Sequence, residues 1–255
     1  MYAFEGSSTK RILLALDFDH TVVDSNTDVE IQDLALDGEI PARIRQLYSK
    51  KCWTDFMQAV FQLLHEQGRS IDDYKRYICR LPLAPGMRQF LKASADAPSV
   101  ESIIISDSNT LFISWILEHN QLTVDSIFSN PAEFDTTGCL RISYYHTQDW
   151  CELSTKNLCK GHILQEYVKQ RERAGAKFER VVYVGDGKND LCPAARLKKN
   201  DVICARKGFT LANVIQADQK IQRKLRADVV FYSSAAELFS HLNLDPAAEL
   251  ASDSR

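Results

Sequence analysis

Two aspartates one residue apart, Asp17 and Asp19, close the apolar run Ile12-Leu13-Leu14-Ala15-Leu16, and Thr21 follows. A run of that length reads as a strand buried inside a parallel sheet. Strand periodicity turns both carboxylates to one side at the strand's end. Carboxylates so close repel each other and are costly to desolvate without a cation between them. Two further runs finish in the same way. Ser102-Ile103-Ile104-Ile105 leads into Ser106-Asp107-Ser108-Asn109, and Val181-Val182-Tyr183-Val184 leads into Gly185-Asp186-Gly187 with Asp190 beyond. One acidic strand end is an ordinary solvated turn. Three at one sheet edge, with lysines available to balance them, make a site.

Hard oxygen donors without a His–His pair suit Mg2+ rather than zinc. Asp17, Asp186 and the backbone carbonyl of Asp19 fit a magnesium shell completed by water and a phosphate. An ionised Asp17 there can attack phosphorus and form an aspartyl-phosphate. Asp19 can protonate the leaving oxygen and later take a proton from the attacking water. Ser106, through hydroxyl and backbone, and Lys160, as a fixed cation, offer what the equatorial phosphoryl oxygens need. Plainer readings stand beside these. Ser106 and Asp107 are common N-cap types, and Asp28 is an ordinary acid for a first helical turn. His20 reads as a solvent-facing position and Lys188 as an exposed charge.

The elements that must hold these residues can be traced along the chain. From Thr21 to about Arg80 the spacing is helical, clearest over Ile40–Lys50 and Cys52–Gln67. In the second stretch Trp53, Phe56, Met57, Val60, Phe61 and Leu64 form a stripe that reads as core packing, with Gly68 as the stop. Ser70-Ile71-Asp72-Asp73 resembles a capping box for a helix through Cys79. Leu81-Pro82-Leu83-Ala84-Pro85-Gly86 marks a boundary. Beyond it strands alternate with helices: a helix over 87–95, the Ile103 strand, and a helix through Phe112 and Trp115. Then follow a hairpin about Thr137-Gly138, a helix over 160–174, the Val181 strand, and strands at 201–205 and 229–232. Alternation of this kind predicts a doubly wound parallel α/β sheet.

Asp17-Phe18-Asp19-His20-Thr21, the Ser106 strand end, Lys160 and Gly185-Asp186-Gly187-Lys188-Asn189-Asp190 resemble the four motifs of the haloacid dehalogenase superfamily phosphatases. The chain is more closely similar to the family of phosphoethanolamine/phosphocholine phosphatases and pyridoxal phosphate phosphatases. Asp24 to Asp28, Ser106 to Asn109, Lys156 to Lys160 and Gly185 to Pro193 carry that match, which runs from about Arg11 to Leu242. Ser108-Asn109 with Phe112, Ile113 and Trp115 leans to the pyridoxal phosphate branch. The resemblance implies Asp17 as nucleophile, Asp19 as acid/base, and both with Asp186 as the metal site, braced by Asp190. Lys160 is preferred over Lys156 because Lys160-Gly161-His162-Ile163-Leu164 opens an amphipathic helix ahead of the third strand, as in the superfamily. It also implies a Rossmannoid core over 10–23 and 84–244 and a helical cap over 24–83 that closes on the substrate. Asp28 and Asp107 fall at positions associated there with substrate binding. Such carboxylates suit a cationic ethanolamine or choline head group better than pyridoxal.

At 255 residues the chain can hold one large α/β domain with an insert. Its net charge of −3 leaves no basic footprint for nucleic acid. No apolar run approaches a membrane span, and Met1–Lys10 lacks a signal-peptide core, so a cytoplasmic location is expected. The termini, 1–9 and 245–255, are expected to be flexible. Seven cysteines without a CxxC pair suggest free thiols in a reducing compartment. The spacing of Cys139, His146, Cys151 and Cys159 matches no standard zinc pattern. The reading is therefore a magnesium phosphatase for a small phosphorylated metabolite. Its rivals are a phosphomutase, and a retired phosphatase that only binds a ligand or partner. Intact Asp17, Asp19, Lys160 and Asp186 argue against retirement.

Overall fold

The computed structural model describes residues 12–48 and 53–244. The expected flexible ends at 1–9 and 245–255, and Cys52, lie outside the described residues. Strand β1 (Ile12–Leu16) is buried at all five positions and runs through the middle of a six-stranded sheet. The other members are β2 (Val100–Asn109), β3 (Ser126–Asn130), β6 (Arg180–Gly185), β7 (Val202–Arg206) and β8 (Asp228–Tyr232). Their order is β3-β2-β1-β6-β7-β8, and every pairing is parallel. Leu16 lies level with Ile104 on one side and Val184 on the other, so three chains leave the same edge together. A separate hairpin joins β4 (Ala132–Phe134) to β5 (Leu140–Ile142), with Gly138 at φ +84° in its turn.

The period-two alternation of β1 feeds two apolar layers. Leu14 and Leu16 pack with Ile104, Val182 and Val184 on one face. Leu13 and Ala15 pack with Ile103, Ile105 and Tyr183 on the other. Each fully buried Leu or Ile contributes about 1.5–3 kcal/mol, so the central strand is anchored from both faces. Helices α5 (Met87–Asp96) and α6 (Thr110–His119) serve the first layer. Helices α7 (Lys160–Arg173), α8 (Leu191–Ala194) and α9 (Thr210–Ala217) serve the second, with α10 (Gln219–Lys224) alongside.

The stretch between β1 and α5 holds α1 (Thr27–Glu30), α2 (Ala42–Arg45), α3 (Trp53–Glu66) and α4 (Ile71–Cys79). Its two ends are tied together. Val23 bridges Leu83 antiparallel, Asp24 N–H donates to the Pro82 carbonyl at 2.8 Å, and Ala84 N–H to that of Val22 at 2.9 Å. The helix expected from Ile40 is only the single turn of α2, entered at Pro41. Gly38 at φ +65° and extended Ala35 break what precedes it into 3-10 turns. The α3 stripe is core as expected: Phe56, Met57, Val60, Phe61 and Leu64 are buried, and Gly68 ends the segment at φ +75°. Ser70 and Asp73 form the capping box of α4. Phe61 meets Phe112 of α6 edge-on at 5.9 Å, and Tyr74 meets Phe134 of β4 at 5.6 Å. Gln58 bonds the β5 backbone at both Leu140 and Ile142. The insert therefore shares one apolar core with the sheet.

Candidate active site

Asp17 is the first residue past β1, and its N–H still donates to the Val184 carbonyl at 2.9 Å. Its Oδ1 accepts the Phe18 N–H at 2.6 Å, leaving Oδ2 against Lys160 Nζ at 2.5 Å. Lys160 opens α7 and is 1% exposed, whereas Lys156 is exposed. The same ammonium lies 2.9 Å from Asp190 Oδ1. Asp190 is held from behind: Tyr183 Oη donates to Oδ1 at 2.6 Å, and the Asp186 and Gly187 N–H groups donate to Oδ2 at 3.0 and 2.8 Å. Room for this comes from Gly185, where a Cβ would stand 2.6 Å from the Asp190 carboxyl.

One carboxylate oxygen from each of Asp17, Asp186 and Asp190 falls within 4.8 Å of the others. Burial, with Asp190 next, pushes the Asp186 carboxyl up to about 8, and Thr21 Oγ1 at 3.3 Å relieves this only in part. Burial drives Asp17 well above the usual carboxylate range even with Lys160 in contact. Burial alone would lower Lys160, but Asp17 and Asp190 hold it well above the usual lysine value. A buried group of acids with more negative charge than one ammonium can balance is the setting in which a hard divalent cation fits. The donors are all oxygen, so Mg2+ suits them and a soft metal does not.

Asp19 stands beside this group with both oxygens engaged by one residue. Thr27 N–H donates to Oδ1 at 3.1 Å and Thr27 Oγ1 to Oδ2 at 3.2 Å. Burial first, then the Asp28 charge, raise its carboxyl well above the usual range, the direction that favours a proton donor. Thr27 was not singled out from the sequence; a hydroxyl at the start of a short helix gives no distinguishing signal. Its Oγ1 also lies 2.7 Å from Ser108 Oγ, which ties the start of α1 to the end of β2.

Ser106 is fully buried in β2, and its Oγ accepts the Ser108 N–H at 3.2 Å. The N-cap of α6 is Asn109, whose Oδ1 accepts from Phe112 at 3.0 Å, so Ser106 and Asp107 do not cap that helix. Half-buried Asp107 accepts from Asn189 Nδ2 at 3.1 Å, joining the second and third strand ends. Asp28 is buried in α1, where Trp53 Nε1 donates to Oδ2 at 2.7 Å and Oδ1 has no hydrogen-bond partner. Burial pushes this carboxyl up to about 7, with Trp53 pulling the other way. Trp53, expected as packing, thus presents a polar edge to the site. His20 departs from expectation: it is half-buried at φ +56°, its ring 5.3 Å from Phe209, and its carbonyl accepts from Arg206 Nη1 at 2.6 Å. Arg206 at the end of β7 also bonds Asp24 at 2.6 Å, a fourth strand end that the sequence reading missed. Lys188 is exposed as expected.

Comparison with known proteins follows the same lines. A family profile described as Putative Phosphatase matches residues 12–245. Pyridoxal phosphate phosphatase PHOSPHO2 of Mus musculus is 39% identical over 237 residues, covering 91% of this chain and 97% of that protein. Human phosphoethanolamine/phosphocholine phosphatase is 37% identical over 237 residues, covering 91% and 88%. A substrate-bound phosphoserine phosphatase structure superposes with a TM-score of 0.59 at 18% identity, covering 91% of this chain and 98% of that one. At that identity the structural likeness speaks for the fold.

Proposed function

The chain belongs to the putative phosphatase family, and on that premise we propose that it is a Mg2+-dependent phosphatase. It hydrolyses small phosphomonoesters through an aspartyl-phosphate on Asp17. The observation that carries this is the Asp17–Lys160–Asp190 chain of contacts at 2.5 and 2.9 Å beside Asp186. Mg2+, held by Asp17, Asp186 and the backbone carbonyl of Asp19, would supply positive charge to the phosphoryl oxygens when bound.

In the first half-reaction an ionised Asp17 attacks phosphorus, forming the carboxylate–phosphorus bond as the ester P–O bond breaks. The proton on Asp19 goes to the leaving oxygen. In the second, Asp19 takes a proton from a water that attacks the same phosphorus, and Asp17 departs as a carboxylate. Lys160 is fixed by two acids, so its charge is ready before the substrate arrives. The Ser106 Oγ already accepts from Ser108, which leaves its proton free for a phosphoryl oxygen. Asp190 acts by holding Lys160 rather than by touching phosphate.

The relatives' names divide the substrate between pyridoxal phosphate and phosphoethanolamine or phosphocholine. Pyridoxal phosphate is the leading reading on overall similarity. The unpartnered Asp28 Oδ1, beside Trp53, favours an ammonium-bearing head group as the second. Residues 24–83 act as the cap that limits access to small molecules, and no nucleic acid or membrane partner is involved. No described helix is long and apolar enough to cross a membrane, and the abundance of free thiols suits the cytoplasm. The test is phosphate release from the three compounds with and without EDTA, Asp17→Asn serving as blank. Turnover on one of them, lost with EDTA and in the variant, is expected. No turnover across a wider phosphoester panel would leave a ligand-binding protein instead.

A further inference from the structure

Outside the carboxylate site three cysteines from separate segments turn their sulfurs together. Cys151 Sγ lies 3.4 Å from Cys192 Sγ, and Cys159 Sγ lies 3.6 Å from it. All three sulfurs fall within 4.8 Å of one another. We propose that Cys151, Cys159 and Cys192 are a second metal site, for a soft thiolate-seeking cation of the Zn2+ class. Zinc–sulfur bonds of about 2.3 Å in a tetrahedron set sulfurs about 3.8 Å apart, close to the spacing found. The grouping was not visible in the sequence reading, which weighed Cys139, His146, Cys151 and Cys159 together. Cys139 lies instead against Gln62, and Cys192 replaces it from α8.

The surroundings are built for such a site. Buried Gln148 gathers the loop by donating to the carbonyls of Cys151, Ser154 and Thr155 while accepting the Cys151 N–H. His146 Nε2 accepts the Cys159 backbone N–H at 2.9 Å, which fixes the backbone that carries this thiol. Arg196 reaches Cys159 Sγ at 3.9 Å, a counter-charge for thiolates. Ser154 Oγ is buried and lies beside the Cys159 and Cys192 thiols. A cavity of about 700 Å³, lined by Cys151, Ser154 and Lys156 among others, reaches the group on its Cys151 side. Water would complete the shell of such an ion, beside the Ser154 hydroxyl. Each thiol gives its proton to solvent as its sulfur binds.

The consequence reaches the catalytic ion pair. Cys159 immediately precedes Lys160, and Cys192 follows Asp190 by two residues. A metal across them clamps the two segments that hold Lys160 against Asp190.

The experiment uses the full chain, reduced and freed of metal, titrated with Cd2+ and followed by thiolate-to-cadmium charge-transfer absorption. Carboxylates give no such band, so occupation of the Asp17 site is silent. Saturation at one equivalent is expected, and the cysteines that gain protection from alkylation when cadmium is added should map by mass spectrometry to 151, 159 and 192. A large excess of Zn2+ should compete for the site and diminish the band. Cys192→Ser should lose it, and Cys204→Ser, in a thiol buried on β7, should keep it. No band with the native chain, a metal-dependent gain of protection at other cysteines instead, or a Cys159–Cys192 disulfide as the only reaction of these thiols would overturn the proposal.

Discussion

Lys160 decides what the buried acids can do. Without it the buried carboxylates of Asp17 and Asp190 would face each other with no cation between them. Lys160→Met is therefore expected to cut turnover by about a hundredfold or more, since it removes charge stabilisation from the transition state. Pre-steady-state phosphate release on the folded variant checks this, and near-native turnover would remove Lys160 from the mechanism. Asp28 gives a pH test. Burial holds its carboxyl at about 7 in the folded chain against 3.8 as the ordinary value, with Trp53, Asp107 and Asp19 facing it. Between those values the unfolded chain has lost the proton and the folded chain keeps it, so stability falls as pH rises through the window. Asp28→Asn stays neutral throughout. Its unfolding free energy from urea titration, relative to the parent, should rise from pH 4 to pH 7.5, by up to about 4 kcal/mol at one unit per 1.36 kcal/mol. A constant difference would mean Asp28 is ionised in the fold. At this scale the sequence was informative wherever a polar residue ended an apolar run, as at Asp17, Ser106 and Asp186. It was silent on Thr27 and Trp53, whose roles arise from contacts across the insert.

Among the elements, the turn after β6 is the most tightly specified. Gly185 is there because Asp190 folds back to within a methyl group's reach of its α-carbon. Gly185→Ala should displace Asp190 from Lys160, costing stability and lowering turnover together, while Gly175→Ala, in open space at φ +89°, should cost only modest stability. Thermal unfolding and turnover measured on both variants separate the two cases, and unchanged turnover in Gly185→Ala would show that the Asp190 brace is dispensable. Long periodic elements such as α3 and α7 were readable because their stripes are amphipathic and end at glycine. β3 was not, since Ser126-Ile127-Phe128-Ser129-Asn130 offers two adjacent apolar residues and no alternation. The loose apolar spacing around Gly38 and Pro41 suggests helix, but these local breakers outweigh it and the chain forms turns.

For the molecule as a whole, the order β3-β2-β1-β6-β7-β8 accounts for the site's location. The order reverses at β1, so the crevice outside its carboxyl end is where a parallel sheet binds ligands. The insert does not hang free above that crevice: Phe61, Tyr74 and Gln58 tie it to α6 and the β4–β5 hairpin. We therefore expect a single cooperative unfolding transition. Phe61→Ala should lower the stability of the whole chain by about 3–5 kcal/mol, with fluorescence and far-ultraviolet circular dichroism moving together. A separate early transition of the insert would show that it folds on its own. Adjacency of strand ends was foreseeable from α/β alternation, but the sharing of one core between insert and sheet was not, because the contacts join residues far apart in the chain.

The central claim is that Asp17 takes the phosphoryl group. Acid quenching during turnover of radiolabelled pyridoxal phosphate or phosphoethanolamine, with Mg2+ present, tests it most directly. Label should remain on the protein, be released by hydroxylamine, map to the Asp17 peptide and be absent from Asp17→Asn. Turnover without protein-bound label, or label that persists in Asp17→Asn, would contradict it.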